Sequence, residues 1–149
     1  YDNPDFNMSY YNASLAIKKY LDEYPSISYI IDIHRDSIMG EDGEYYAPTA
    51  TIENKVKAAQ IMFVVGTDYG GSGHTGWRDN LTLALRLQCG ISADYPTIMR
   101  NINLRSASFN EQYTKGSMLV EIGSCASTLD EALLSADIFA EVLAREILG

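Results

Sequence analysis

Three stretches of this sequence carry residue types that can do chemistry. In Ile31-Asp32-Ile33-His34-Arg35-Asp36 a histidine follows directly on a β-branched run. Ligands of open α/β sheets bind in the crevice beyond the carboxyl ends of strands. A neutral imidazole there can coordinate a metal, with Asp32 or Asp36 orienting its second nitrogen. The structural alternative is a histidine hydrogen-bonded at a strand end beside an ordinary Arg35–Asp36 surface pair. In Met118-Leu119-Val120-Glu121-Ile122-Gly123 a carboxylate interrupts an apolar run. Loss of solvation raises its pKa unless a cation or metal holds it charged, which suits a general acid or base near neutral pH. A purely structural pairing of Glu121 with Arg100 or Arg105 is the competing reading.

The third stretch, residues 66–77, holds five glycines with His74 and Trp77. It has neither Gly-Lys-Ser/Thr nor the Gly-x-Gly-x-x-Gly pattern, so a nucleotide cradle is disfavoured. It reads as a rim loop presenting His74 and Trp77 to a substrate, or else as a surface turn whose tryptophan packs on the domain. No Gly-x-Ser-x-Gly elbow supports a serine nucleophile. Asp36 and Glu121 would suffice for a two-carboxylate glycosidase, but nothing specific selects that chemistry.

The elements that must position these residues follow from periodicity. Helical spacing of Ala13, Ile17, Leu21 and Tyr24, led by Tyr10, predicts a helix over 9–24 that Pro25 terminates. Residues 27–33 and 61–67 form nearly continuous apolar runs, as in strands buried on both faces of a parallel sheet. Residues 47–53 and 118–122 add two more strands. A helix runs from Trp77 to near Gly90, and a last one is capped by Ser127 or Thr128, with Leu129, Leu133, Ala136, Phe139, Val142, Leu143 and Ile147 on its apolar face. Residues 93–112, with no sustained period, read as a long functional loop holding short structured pieces. The class is α/β, with a mostly parallel sheet flanked by helices.

At 149 residues the chain is sized for one domain. Eleven Lys and Arg against twenty Asp and Glu leave a net charge of −9, which argues against nucleic acid or an anionic bilayer as a partner. No run approaches the roughly 20 apolar residues of a membrane span, and no leader is evident. Cys89 and Cys125 are expected as free thiols, buried or half-buried, too few for a cysteine-ligated zinc.

Four segments together resemble the stage II sporulation protein P family: Ile31 to Asp36, Phe63-Val64-Val65-Gly66-Thr67-Asp68, His74-x-x-Trp77-x-x-Asn80-Leu81, and Met118 to Gly123. Asp2-x-Pro4, Ser9-Tyr10 with Ser14, Arg105 with Phe109-Asn110, and Ser127-Thr128-x-x-Glu131-Ala132 fit as well. The match runs the whole length in order. That family is similar to zinc-dependent N-acetylmuramoyl-L-alanine amidases, which hydrolyse the amide between the muramic lactyl group and the first alanine of the peptidoglycan stem peptide. The family is also credited with endopeptidase activity on stem-peptide crosslinks, alongside a lytic transglycosylase, during engulfment.

The resemblance implies a zinc amidase-like fold in which His34 is a zinc ligand and Glu121 the catalytic acid/base. His74, Trp77, Asn80 and Arg105 would be substrate contacts. The family's remaining ligands, a His and a Glu, belong to an upstream strand-to-helix segment. Residues 1–149 would then be one partial catalytic domain lacking its first strand and helix, with an exposed sheet edge and one zinc ion expected only in the intact domain. The resemblance also implies an extracytoplasmic location between the mother-cell and forespore membranes, reached through an anchor outside this chain. A non-catalytic module that binds muropeptides or a partner enzyme is the alternative, and another zinc peptidase sharing the His/Glu layout a third.

Overall fold

Ile61-Met62-Phe63-Val64-Val65 forms the centre of the molecule. In the computed structural model, which describes residues 8–52 and 56–149, this run is strand β4 (Ile61–Gly66), buried at every residue. Around it the chain runs α1 (Ser9–Glu23), β1 (Tyr29–Asp36), β2 (Thr49–Thr51), β3 (Lys57–Ala59), β4, α2 (Trp77–Asp94), β5 (Asn103–Arg105), β6 (Gly116–Ser124) and α3 (Leu129–Leu148). The main sheet has the order β1-β6-β4-β5. β1 pairs parallel to β6, and β4 pairs parallel to β5. The two pairs meet at an antiparallel junction between β4 and β6. The sheet is thus mostly parallel and the α/β class holds. β2 and β3 form a separate antiparallel ribbon.

Alternation along β4 divides the core between two faces. Phe63 and Val65 join Met118 and Val120 of β6 beneath α2 and α3, where Leu87, Ile91, Phe139 and Val142 close the larger cluster. Phe63 and Phe139 meet as a tilted aromatic pair, centroids 6.0 Å apart. Met62, Val64 and Leu119 face the other way and are covered by Phe109. α3 starts with a capping box: Thr128 Oγ1 accepts from the Glu131 N–H, and Glu131 accepts from the Thr128 N–H.

Several boundaries differ from expectation for identifiable reasons. β1 begins at Tyr29 and is not doubly buried; it is an edge strand, with Ile33 62% exposed, and it includes His34 rather than stopping before it. Gly90 does not end α2. A Cβ at that position would lie 3.0 Å from Val142 Cγ1, so the glycine admits α3 against α2. The buried side of α3 is Ser135, Ile138, Phe139 and Val142, whereas Leu129 and Leu133 are exposed. Cys89 and Cys125 are free, but both are exposed. The expected strand over 47–53 is only three residues long in its described part. Residue 53, and residues 1–7 with the Asp2 and Pro4 positions, lie outside the described residues. Among the described residues no helix is long and apolar enough to cross a membrane.

Candidate active site

Asp32, His34 and Asp36 alternate along β1 and so share one face of the sheet. In the parallel register His34 stands opposite Glu121 of β6, which brings the two side chains together at neighbouring-strand distance, about 4.8 Å between backbones. Directly after this pair the register shifts, from His34↔Glu121 to Asp36↔Ser124. β6 therefore carries one extra residue, a bulge of the kind that re-aims side chains. Gly123 supplies it. Its φ is +70°, and a Cβ there would lie 2.6 Å from Ser127 Oγ and 2.7 Å from Ala59 Cβ. Arg35, on the opposite side of β1, fastens the same corner by donating to the carbonyls of Ser124 and Ser127.

The face so formed is electrostatically strained. His34 Nε2 lies 3.1 Å from Asp32 Oδ1, and this hydrogen bond raises the imidazole above its ordinary value despite partial burial. With that nitrogen given to Asp32, Nδ1 is the one free to act as a ligand or acceptor. Burial pushes Glu121 up, the Asp36 charge adds to this, and His34 and Arg100 pull it back. Glu121 Oε2 is buried and has no hydrogen-bond partner among the described residues. Arg100 does not pair with it, because its Nη1 bonds Asp36 Oδ2 at 2.7 Å. Tyr10 of α1 stacks on His34 (centroids 6.3 Å, planes 18° apart) and leans on Phe109. Phe109 and Asn110 both adopt left-handed φ, and Asn110 Nδ2 ties this loop to the Tyr10 carbonyl.

A second region lies at the carboxyl ends of β4 and β5. Gly66 opposes Arg105 in register, and Met62 opposes Glu121. Four residues of strand therefore separate the two regions, about 13 Å. Thr67 donates both its N–H and its hydroxyl to the Arg105 carbonyl, each at 2.8 Å. Trp77, Arg78 and Arg105 line an open cleft of about 700 Å³ here. His74 and Asn80 do not: each is 1% exposed. Asn80 Nδ2 donates to the carbonyls of Glu111, Thr114 and Ser117, and burial lowers the His74 pKa. Behind them Glu111, 2% exposed, accepts from the N–H groups of Gly66 (2.6 Å) and Leu119 (3.1 Å).

Residues 1–144 match the family profile of stage II sporulation protein P (SpoIIP). The chain belongs to the stage II sporulation protein P family. It is similar to stage II sporulation protein P of Bacillus subtilis (strain 168), 28% identical over 147 residues that cover 93% of this chain and 34% of that relative. The chain thus spans about a third of the length of the curated relative it matches. No solved structure matches it.

Of the site residues expected from sequence, His34 and Glu121 come together, while Trp77 and Arg105 meet at the other end of the sheet. His74 and Asn80 are internal: Asn80 braces the loop ahead of β6, whereas the His74 ring is enclosed with neither nitrogen hydrogen-bonded among the described residues. For zinc the donor set falls short. His34 offers one nitrogen and Glu121 an unpartnered oxygen, yet among the described residues no three His, Cys, Asp or Glu side chains gather as a metal-binding group. Arg78 and Glu111 carry no site signal in the sequence, and Tyr10 none beyond the helical stripe and the Ser9-Tyr10 resemblance. Tyr10 reads as one more member of a helical stripe, Arg78 as a surface cation, and Glu111 as part of an aperiodic loop. Only the clustering of Phe109, Asn110 and Glu111 before the last strand hints that this loop is built in.

Proposed function

We propose that this chain is the catalytic part of a sporulation peptidoglycan hydrolase that cleaves the amide between N-acetylmuramic acid and the L-alanine of the stem peptide. On this reading it also cleaves stem-peptide crosslinks, and it works during engulfment with a lytic transglycosylase. The observation that carries the reading is the His34–Glu121 register pair with its buried, unpartnered carboxylate oxygen. Family membership supports a role in sporulation.

Loss of solvation, reinforced by the Asp36 charge, makes the half-buried Glu121 carboxyl a better proton acceptor than a free carboxylate, as a general acid/base requires. Glu121 takes a proton from a water molecule as its oxygen bonds to the scissile carbonyl carbon. It then delivers that proton to the departing amine nitrogen as the C–N bond breaks, leaving a carboxylic acid and a free amine. Asp32 fixes the imidazole of His34, and Tyr10 packs on its face, so the pair keeps its geometry between these steps. Were zinc bound here, His34 would supply one of its ligands and the ion would lower the pKa of a coordinated water towards about 7; among the described residues no further ligands gather beside it. The extracytoplasmic, membrane-anchored location between the two membranes belongs to the same proposal.

Digestion of purified sacculi by the full-length gene product with zinc tests it. Free stem peptides in the soluble fraction, identified by mass spectrometry, are the expected product, and Glu121→Gln should abolish them while leaving metal content unchanged. Undiminished release by Glu121→Gln would remove the residue from its role. Release of a different amide's products would point to another zinc peptidase. The alternative, a non-catalytic muropeptide- or partner-binding module, draws support from the cleft that lies away from Glu121. Retention on sacculi without cleavage would favour it.

A further inference from the structure

The sequence contains six arginines in a chain of net charge −9. Arg86 and Arg145 pair with Glu146 and Asp94, and Arg100 pairs with Asp36. Arg35 is spent on the Ser124 and Ser127 carbonyls. The remaining two, Arg78 and Arg105, have no carboxylate partner among the described residues, and both line the 700 Å³ cleft beyond β4 and β5. Acidic groups outnumber basic ones almost two to one, yet these two arginines, without a carboxylate or carbonyl partner among the described residues, share one concavity.

We propose that this cleft is a carboxylate-binding subsite, with Arg78 and Arg105 as its anion contacts and Trp77 as the apolar wall against which the rest of the ligand lies. Arg105 is held ready: Thr67 pins its carbonyl through two hydrogen bonds, so its backbone is fixed before a ligand arrives. The cleft walls are locked to each other as well. A Cβ on Gly66 would come within 2.2 Å of the Ala107 carbonyl, and one on Gly70 within 2.4 Å of the Ser106 carbonyl. Arg78 lies over the Trp77 ring at 4.5 Å, which orients its planar guanidinium beside an aromatic face. The one carboxylate in the lining, Asp68, is engaged in accepting from the Gly73 N–H at 2.8 Å. Two free guanidiniums with an aromatic wall suit a ligand that combines an acid with apolar or sugar surface. Resting on the hydrolase reading above, that ligand is the acidic stem peptide of a muropeptide, gripped about 13 Å along the strand direction from the level of Glu121.

Titration calorimetry on the Glu121→Gln form tests this without turnover, using a soluble muramoyl tripeptide and the same molecule with its carboxylates converted to carboxamides. The free acid is expected to bind about tenfold more tightly than the amide. Arg78→Ala and Arg105→Ala should each weaken the acid by about tenfold while leaving the amide unaffected, and Arg105→Lys should retain part of the preference. Both arginines are exposed, so unchanged circular dichroism is expected throughout. Equal affinity for acid and amide, preference retained in both alanine variants, or no binding of either form would each overturn the assignment. Preference for the acid in a protein that never cleaves sacculi would sustain the subsite and sink the hydrolase reading; cleavage without preference would do the reverse.

Discussion

Replacing Glu111 with Gln is expected to flatten the dependence of stability on pH. The Glu111 carboxyl is 2% exposed, and burial pushes it from 4.5 up to about 8, against the pull of the Gly66 and Leu119 N–H groups. Below pH 4.5 folded and unfolded chains both hold the proton, and the stabilisation is fully present. Between 4.5 and 8 the unfolded chain releases it while the folded chain keeps it, so stability falls as pH rises. Above about 8 both are ionised and the loss is complete. At about 1.4 kcal/mol per pH unit, the interval from 4.5 to about 8 amounts to about 5 kcal/mol. Glutamine cannot titrate, but it can accept only one of the two N–H bonds, which should cost about 1–3 kcal/mol at every pH. Urea unfolding followed by circular dichroism, in half-unit steps from pH 4.5 to 9, separates slope from level. Other carboxylates cancel in the difference between the two curves. A Gln variant as pH-dependent as the parent would refute the reasoning.

Other positions give independent checks. Gly123→Ala should cost about 3 kcal/mol, from the positive φ and the Ser127 and Ala59 contacts, measured as a lower urea midpoint. Asp32→Asn should bring the His34 pKa back down towards 6.5, read from imidazole proton shifts in an NMR titration; an unmoved midpoint would dismiss the hydrogen bond as its cause. Asn80→Ala strips three buried or part-buried carbonyls of their shared donor and should cost about 3 kcal/mol in thermal or urea unfolding, with no change expected at His34.

The central strand and the three helices are legible in sequence because each has a strong local signature: an unbroken apolar run at 61–65, and periodic apolar residues after Ser9, Trp77 and Thr128. Glu121 stood out for the same reason, a charge where the pattern demands none. What the pattern could not convey is pairing. Whether β4 lies parallel or antiparallel to β6 depends on contacts between segments more than fifty residues apart, and that choice sets His34 and Glu121 at one end and Arg105 at the other. The burial of His74 was likewise invisible. A histidine between glycines reads as a loop tip, yet here the loop folds inward and the ring is enclosed. The doubly buried reading of 27–33 failed because β-branched composition reports strand propensity and not the number of neighbours.

Among the described residues, the strand that carries His34 has a neighbour on one flank only. Its outward row of amide and carbonyl groups is a template for one more strand, and a strand docked there would run about 4.8 Å from the backbone that carries His34. Assembly at that border and the chemistry of His34 would share a single piece of backbone. Whatever occupies the border therefore alters the solvent access of the strand that carries His34.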